Sequence, residues 1–344
     1  MADRQKSIAV TLCFLFTFYS AFAQENTREL RILFYNLENL FDVQDDSLTA
    51  DENFTPEGEM HWTYNRLVKK ANNISKAIIA AGGWQSPEIL VFCEVENRYV
   101  LEKLTDDTPL KNSVYKIIHK ESPDHRGIDI AMLYKNDWFE PIQYQYYPLV
   151  IKGKILNTRE ILHVSGIVAG TDTIHIFANH WPSRYSGFLE TQELREDAAR
   201  LLKALIDNVK KKHRNPKIVI TGDFNENPDS EIFKSELGVE PFVQNYSESA
   251  IYNLSNSWLK PGKGTLKFQS QWFVFDQFMI TGSMLNKGNS VFVKPESASI
   301  IDFPFLLEED KKYGGQKPFR TYNGFDYQGG FSDHLPVILR ITIN

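Results

Sequence analysis

Cysteine is nearly absent from this sequence: Cys13 and Cys93 are the only two among 344 residues. Cys13 lies in a segment that we expect to be removed, and the single cysteine that remains cannot form an internal disulfide. The sequence also lacks an H-E-x-x-H motif, so a zinc site of nitrogen and sulfur ligands is disfavoured. The folded chain must rely on its hydrophobic core or on a bound metal, and a chain of this length can bury about 75% of its unfolded surface.

Long hydrophobic runs are missing as well. The longest, residues 8–19, is shorter than the roughly 20 residues that span a bilayer. It follows Arg4 and Lys6 and precedes an A-x-A site at residues 21–23, the layout of a cleaved signal peptide. We therefore expect a signal peptide over residues 1–23 and a mature chain that begins at Gln24, exported to the periplasm, the cell surface or the medium. Neither stable membrane insertion nor a lipid anchor is expected.

An excess of positive charge is also lacking. The sequence has 38 Lys and Arg against 44 Asp and Glu, and removal of residues 1–23 leaves 36 against 43, a net charge of −7. This disfavours a protein that coats nucleic acid non-specifically, but it does not exclude an enzyme that cuts a phosphodiester bond. The basic run at 210–214 is either a nucleic-acid patch or a complement to a helix dipole, and we favour the helix dipole.

Strand-like and helix-like segments alternate along the rest of the chain. Helices are predicted over 64–81, over 191–211 with Leu194, Ala198, Leu201, Leu205 and Val209 on one face, and over 229–237 with a cap at Asp229. Strands are predicted over 31–37, 88–93, 115–119, 128–134, 161–168, 173–178, 217–221, 265–268, 272–281, 290–294 and 336–342. No repeat or linker divides the chain, so residues 24–344 are expected to be one domain, with sheets packed on each other and helices outside.

Polar residues stand where several predicted strands end, the place where layered proteins collect functional groups. They are Asn36, Glu94, Asn179, His180, Asp223, Asn225, Asp276, Asp333 and His334. Most of them have a structural explanation when taken singly, such as an Asx-turn at Asp223. Asp276 differs, because its apolar neighbours predict burial, and a buried carboxylate needs a partner such as His334 or a metal.

As a set, these residues suit metal-assisted hydrolysis of a phosphate ester. Glu94 and Asp333, supplemented by Asn36, offer the oxygen ligands that Mg²⁺ or Mn²⁺ prefers. His334 held by Asp276 suits a general base for water. The negatively charged transition state needs hydrogen-bond donors, for which His180, Asn225 and Arg184 are candidates.

Seven motifs in order resemble those of the endonuclease/exonuclease/phosphatase superfamily, the family of pancreatic deoxyribonuclease. They are YNLENLFD (35–42), VFCEVEN (91–97), RGIDIAMLY (126–134), ANHWPSR (178–184), TGDFNENP (221–228), FDQFMIT (275–281) and GGFSDHLPV (329–337). The residues of YNLENLFD and of RTYNGFDYQGGFSDHLPV (320–337) are most similar to those of exported members from Bacteroidetes. The resemblance implies a deoxyribonuclease I-like, four-layer α/β sandwich of two central mixed β-sheets flanked by helices.

The resemblance also implies roles for the site residues. Asn36 and Glu94 would hold the metal with a contribution from Asp333, and Asp276 would orient His334. Asp223 and Asn225 would position or activate the attacking water and bind phosphate, and His180 would contact the scissile phosphate and act as an acid for the leaving oxygen. The base is either His334 or Asp223.

Within the ANHWPSR motif, Asn179, Trp181 and Arg184 are expected to bind substrate. Trp181, with Tyr185 and Phe188, could stack on a base or sugar, or could equally belong to the core. Cys93, in place of the glutamine common before the metal-binding glutamate, is either a reactive thiol or a small buried hydrophobe, and we favour the hydrophobe.

Three functions are compatible with these residues. The first is a secreted endonuclease that hydrolyses DNA or RNA with Mg²⁺ or Mn²⁺ and works as a monomer. The second is a phosphatase or phosphodiesterase that acts on a small substrate such as an inositol phosphate or a phospholipid headgroup. The third, a catalytically silent binding protein, is disfavoured because no site position is missing.

Overall fold

The computed structural model describes residues 28–344, except residues 152, 185, 186, 188, 243 and 244. The predicted signal peptide lies outside the described residues, as do Tyr185 and Phe188. The α-helices of the described part are α1 (Tyr64–Ala81), α2 (Arg98–Asp106) and α3 (Gln192–Lys212). No helix in the described ranges is long and apolar enough to cross a membrane.

The strands of the described chain are β1 (Arg28–Leu40), β2 (Ile89–Val95), β3 (Tyr115–His119), β4 (Asp129–Lys135), β5 (Phe139–Tyr147), β6 (Val150–Ile151), β7 (Lys154–Ile155), β8 (Ile161–Val168), β9 (Asp172–His180), β10 (Lys217–Asp223), β11 (Val239–Pro241), β12 (Ile251–Asn253), β13 (Leu266–Phe268), β14 (Gln271–Phe273), β15 (Asp276–Thr281), β16 (Val291–Phe292), β17 (Ala298–Ile300), β18 (Leu307–Glu309), β19 (Gln316–Pro318), β20 (Tyr322–Asn323), β21 (Asp326–Tyr327) and β22 (Val337–Ile343). The first sheet has the order β16-β22-β1-β2-β4-β3, with β17 also paired to β22. The second sheet has the order β11-β12-β15-β10-β9-β8-β5. The other strands pair as the hairpins β6–β7, β13–β14, β18–β19 and β20–β21.

Alternating apolar residues of β1 reach two different cores, as expected for a strand buried on both faces. Ile32 and Phe34 belong to the core between the two sheets, which also contains Val219 of β10. Leu33 belongs to the core beneath α1 and α2. A third core lies between α3 and the outer face of the second sheet. The layers therefore run α1 and α2, first sheet, second sheet, α3, and the predicted four-layer α/β sandwich is confirmed.

Cys93 lies in the core between the sheets and is fully buried. Burial raises the pKa of its thiol well above the usual value, so the thiolate is suppressed. The structure therefore agrees with the buried hydrophobe rather than the reactive thiol.

The buried face of α3 agrees with the predicted one in part. Ala198 and Val209 are buried as predicted, and Leu201 and Leu205 pack at the margin of the core. The face also includes Arg195, Ala199, Leu202 and Ile206, and the pattern missed this shift because Arg195 is charged. Arg195 is buried because its Nε donates to Glu226 Oε1 at 2.6 Å.

Two other predicted elements are corrected. The predicted strand 272–281 is interrupted between Phe273 and Asp276, because β14 pairs in a hairpin and β15 in the second sheet. The predicted helix 229–237 is shortened: residues 231 and 232 are α-helical and continue into a π-helical turn, Phe233–Leu237, which has no side-chain cap. Short 3₁₀ turns at Glu52–Phe54, Pro109–Ser113, Leu254–Trp258, Gly282–Leu285, Pro295–Ser297 and Pro304–Leu306 complete the connections.

Candidate active site

Strand ends from both sheets meet at one edge of the sandwich. β1 runs parallel to β2, and β9 runs parallel to β10, so their carboxyl-terminal ends lie on the same side. The register of the second sheet sets Asp223 opposite His180 on β9 and opposite Asp276 on β15. Strand pairing therefore brings together residues that lie far apart in the sequence.

The carboxylate of Asp223 is the centre of this group. Its Oδ2 accepts a hydrogen bond from Asn36 Nδ2 at 3.1 Å and lies 3.8 Å from His180 Nε2 and 3.7 Å from His334 Nε2. Its Oδ1 accepts from the backbone N–H of Asn225 at 3.0 Å. Burial raises the pKa of Asp223 to about 7, although His334 opposes the rise. A carboxyl group with this pKa can exchange a proton at neutral pH.

His334 and Asp276 form a buried pair. Nδ1 of His334 lies 2.8 Å from Asp276 Oδ2, which leaves Nε2 facing Asp223. Burial alone would lower the pKa of His334, but Asp276 and Asp223 outweigh it and raise that pKa well above the usual value. Ser332 Oγ accepts from the backbone N–H of His334 at 3.1 Å and donates to the Asn36 carbonyl at 2.7 Å. This segment is thereby fixed against β1.

His180 is a second buried imidazole on the other side of Asp223. Its Nε2 lies 3.9 Å from Glu94 Oε1, and its Nδ1 has no hydrogen-bond partner within the described chain. Burial, followed by the charges of Arg159 and Arg126, lowers the pKa of His180 well below its usual value. His180 is therefore neutral at neutral pH and can donate one N–H.

The residues predicted to hold a metal are partly brought together. Asn36 Nδ2 donates to Glu94 Oε1 at 3.3 Å, and the backbone N–H of Asn39 donates to Glu94 Oε2 at 3.0 Å. Asn36 thus turns its amide nitrogen, not its oxygen, toward the carboxylate, and a ligand role would require the reversed amide. Asp333 makes a different contact, in which its Oδ2 accepts from Arg320 Nη2 at 3.1 Å.

The donor set fits a hard divalent cation. Asp223, Asp276 and His334 place three ligand atoms within 4.8 Å of one another. Oδ1 of Asp276 is fully buried and has no hydrogen-bond partner in the described ranges, so the site holds an unsatisfied oxygen. Together with the carboxylate of Glu94, these groups are mainly oxygen donors, which suits Mg²⁺ or Mn²⁺ better than a soft metal.

Arg184 is held at the rim of this group. Its Nε donates to the Asn225 carbonyl at 2.6 Å, and its Nη2 donates to Glu226 Oε2 at 2.6 Å. The guanidinium also lies 4.8 Å from the ring centre of Phe275. Asn225 Nδ2 donates to the Trp181 carbonyl at 3.1 Å. Direct contact of Arg184 and Asn225 with substrate stays a prediction.

The geometry does not support substrate contacts by Asn179 and Trp181. Asn179 is fully buried, and its Nδ2 donates to the carbonyls of Phe177 and Thr221. Trp181 is 1% exposed, donates from Nε1 to Asn179 Oδ1 at 3.2 Å and packs edge-on against Phe224. Both side chains are therefore part of the core behind the site. The predicted role fails because a motif does not show which way its side chains point.

Sequence reasoning missed a charged network beside Asp333. Glu38 Oε1 accepts from Arg320 Nε at 3.1 Å, its Oε2 accepts from the backbone N–H of Thr321 at 2.7 Å, and its carbonyl accepts from Lys70 Nζ at 2.7 Å. Burial raises the pKa of Glu38 and lowers that of Lys70 to about 8. Glu38 could have been suspected from its place in YNLENLFD. Lys70 could not, because a lysine on a predicted helix usually faces solvent.

Several site residues have left-handed backbone conformations that side chains other than glycine rarely adopt. They are Glu38 (φ 48°), Asn39 (φ 55°), Glu94 (φ 59°) and Asn225 (φ 51°). Each of these backbone conformations destabilises the folded chain by roughly 1 kcal/mol. Strain of this kind is retained where surrounding structure imposes it, and it gathers at functional sites.

Comparison with known proteins agrees with this fold. The family described as "Endonuclease/Exonuclease/phosphatase family" matches residues 31–343. An endonuclease/exonuclease/phosphatase structure from Bacteroides vulgatus is similar with a TM-score of 0.55 at 14% identity, over 92% of this chain and 100% of that one. Zebrafish (D. rerio) TDP2 complexed with single strand DNA product is similar with a TM-score of 0.54 at 11% identity, over 91% and 98% of the chains. The comparison with curated proteins found no match.

Proposed function

Because the chain belongs to the endonuclease/exonuclease/phosphatase family and is a metal-dependent phosphoric ester hydrolase, we propose that it is an exported phosphodiesterase that cuts DNA or RNA. The divalent cation would be Mg²⁺ or Mn²⁺. Export is proposed from the sequence of residues 1–23 alone.

One observation carries the proposal: Oδ2 of Asp223 lies 3.7 Å from Nε2 of His334 and 3.8 Å from Nε2 of His180. A carboxylate between two imidazoles places a proton acceptor and hydrogen-bond donors within about 4 Å of one another. Hydrolysis of a phosphodiester needs such groups, because water must lose a proton while the leaving oxygen gains one.

The side chains divide this work as follows. Asp276 fixes the ring of His334 through Nδ1, so that Nε2 faces the reacting group. Asp223, whose pKa is raised to about 7, accepts the proton of the attacking water beside Nε2 of the protonated His334. His180, which its lowered pKa keeps neutral, donates a hydrogen bond to the phosphate, and the leaving oxygen takes its proton from solvent water. These donors act in a buried site, where electrostatic stabilisation of the transition state is strongest.

A cation bound by Glu94 and its neighbouring carboxylates would neutralise the charge that develops on the phosphate. The chain's own contribution is to hold those carboxylates apart and oriented, through Asn36 and the backbone of Asn39. Neither contact uses a charged side chain, so the carboxylates keep their charge for the cation.

A nucleic-acid substrate is favoured over a small phosphate ester by the likeness of the fold to a protein described in complex with single strand DNA product.

The test is hydrolysis of plasmid DNA, bis-p-nitrophenyl phosphate and p-nitrophenyl phosphate by the purified protein with Mg²⁺, with Mn²⁺ or with chelator. We expect metal-dependent cleavage of the plasmid and of the diester, and a rate reduced by at least about 100-fold in His334→Ala, the loss typical of a missing acid–base group.

His213→Ala is the matched control, because His213 is exposed and lies after α3. Hydrolysis of the monoester with intact plasmid would replace the nuclease by a small-molecule phosphatase. Silence on all three substrates with either metal would refute the proposed hydrolase activity.

A further inference from the structure

The basic run at the end of α3 has no part in the proposed function. It consists of Lys210, Lys211, Lys212 and Arg214, and the last three side chains are exposed. The macrodipole of a helix is equivalent to about half a negative charge at the carboxyl-terminal end. One cation is enough to balance that charge. The helix dipole therefore leaves most of the positive charge of the run unexplained.

Ion pairs within the chain do not neutralise this run. Among the described residues, none of its four basic side chains forms an ion pair with a carboxylate, and the neighbouring acids have other partners. Asp207, one turn earlier on α3, pairs with Lys203 at 2.5 Å. Asp172, at the start of β9, pairs with Lys217 at 2.6 Å. The run therefore keeps its charge.

A fifth cation lies beside the run. Its position follows from Glu248, whose Oε1 accepts from Asn286 Nδ2 at 3.0 Å and whose Oε2 accepts from Asn215, the residue after Arg214. Lys287, which follows Asn286, is exposed. We define the basic patch as Lys210, Lys211, Lys212, Arg214 and Lys287. These contacts bring five cations together around the one carboxylate of Glu248, on a chain whose net charge is −6.

The basic patch lies at the end of the sandwich opposite the candidate active site. α3 begins beside that site, where Arg195 donates to Glu226. Its 21 residues carry the chain about 30 Å away. β10 then starts at Lys217 and returns to the site at Asp223. The basic patch and the reacting groups therefore face opposite directions.

The composition of the basic patch favours a flat anionic surface over a strand of nucleic acid. Residues 207–215 and 286–290 include no exposed large apolar side chain. Binding of single strands uses aromatic rings that stack on bases, and insertion into a bilayer uses apolar side chains, so this patch acts through charge alone. A membrane with anionic lipids presents many phosphate charges in one plane.

The position of the basic patch favours the same partner. Nucleic acid held here would be about 30 Å from the groups that act on phosphate esters. A membrane held here would leave those groups facing the solution.

We propose that the basic patch holds the protein on the surface of a membrane that contains anionic phospholipids. The basic side chains contact lipid phosphates, no segment inserts, and the active-site end faces away from the lipid. The contact is reversible, because charge attraction at a surface is screened by salt. This inference goes beyond the proposed function and does not depend on hydrolysis or on the substrate.

Co-sedimentation with vesicles, carried out in chelator, tests the proposal without hydrolysis. The purified protein should sediment with vesicles of phosphatidylglycerol and phosphatidylcholine in equal amounts, and it should stay in solution with phosphatidylcholine alone. Each basic residue at an anionic surface strengthens binding about fivefold, so Lys211→Gln/Lys212→Gln/Arg214→Gln should bind roughly 100-fold more weakly. Lys287→Gln should bind about fivefold more weakly. Salt raised from about 0.1 M to about 1 M should release the wild type.

Two further variants separate charge at this place from charge in general and from folding. Lys260→Gln/Lys311→Gln/Lys312→Gln is the matched control, because it removes the same charge from exposed side chains outside the basic patch. It should bind as the wild type does. Lys211→Arg/Lys212→Arg/Arg214→Lys keeps the charge and should also bind normally. All variants should keep the melting temperature of the wild type, because the substituted side chains are exposed.

Three results would overturn the proposal: equal binding to both kinds of vesicle, an equal loss in the matched control, or no sedimentation with anionic vesicles. A short DNA duplex, measured by fluorescence anisotropy in chelator, decides between lipid and nucleic acid. Duplex binding that is lost in Lys211→Gln/Lys212→Gln/Arg214→Gln, without vesicle binding by the wild type, would replace the membrane by nucleic acid. Vesicle binding by a protein that hydrolyses no phosphate ester would refute the hydrolase and leave the membrane contact intact.

Discussion

Asp276 shows how a single buried carboxylate can be recognised from its neighbours in the sequence. Its apolar neighbours predicted burial, and it is fully buried with one oxygen bound to His334. The other oxygen, Oδ1, has no partner among the described residues. Such an arrangement is costly for folding, which indicates that it is retained for chemistry.

Asp276→Asn should reduce kcat for bis-p-nitrophenyl phosphate by about 10² to 10⁴. The amide keeps the shape of the carboxylate but removes the charge that raises the pKa of His334. In the variant, the pKa of the His334 imidazole followed by NMR should therefore fall. A rate within twofold of wild type, with an unchanged melting temperature, would show that Asp276 has no part in orienting His334.

At the level of elements, the sequence predicted most of the fold. Predicted α1 coincides with Tyr64–Ala81 and predicted β8 with Ile161–Val168, because their apolar periodicity is strong. α2 was missed because it has only nine residues, and the edge strand β5 because it is largely exposed and contains Pro141.

The sequence predicted the candidate site less completely than the fold. Motifs and strand ends indicated Asp223, Asp276, His180 and His334, which the structure brings together. They could not indicate Arg320, because its partners Glu38 and Asp333 are up to 282 positions away. Long-range ion pairs depend on how loops pack against the sheets, and no local pattern contains that information.

The ion pairs of Glu226, in the loop after β10, should be important for stability. Glu226 is 2% exposed and accepts from Arg195 Nε and Arg184 Nη2, both at 2.6 Å. Glu226→Gln replaces the buried carboxylate that accepts from Arg195 by a neutral amide, so we expect the free energy of unfolding in urea to fall by about 3 kcal/mol.

Glu236→Gln provides the comparison, since Glu236, in the turn Phe233–Leu237, pairs with the exposed Arg200 of α3 at 3.1 Å. That change should cost less than about 1 kcal/mol. Equal losses in the two variants would mean that the buried pairs contribute no more than a surface contact.

For the whole molecule, residues 1–23 should decide where the chain acts. If they are a signal peptide, expression with its own leader should give a secreted or periplasmic protein that begins at Gln24, measured by intact mass. Lys6→Glu/Arg4→Glu should retain the uncleaved precursor in the cell by reversing the charge before the apolar run. Cleavage elsewhere, or the full mass in the cytoplasm of wild-type cells, would contradict export.

The left-handed residues at the site set a limit on how far this protein can be stabilised. Consensus or glycine substitutions at Glu38, Asn39, Glu94 or Asn225 would release strain, yet these peptide units also aim the carboxylates and amides of the site. Selection for heat resistance and selection for turnover would therefore oppose each other at the same four positions. In a thermostable descendant of this chain that keeps its activity, we expect the stabilising substitutions to lie away from these four positions, in the cores beneath the helices.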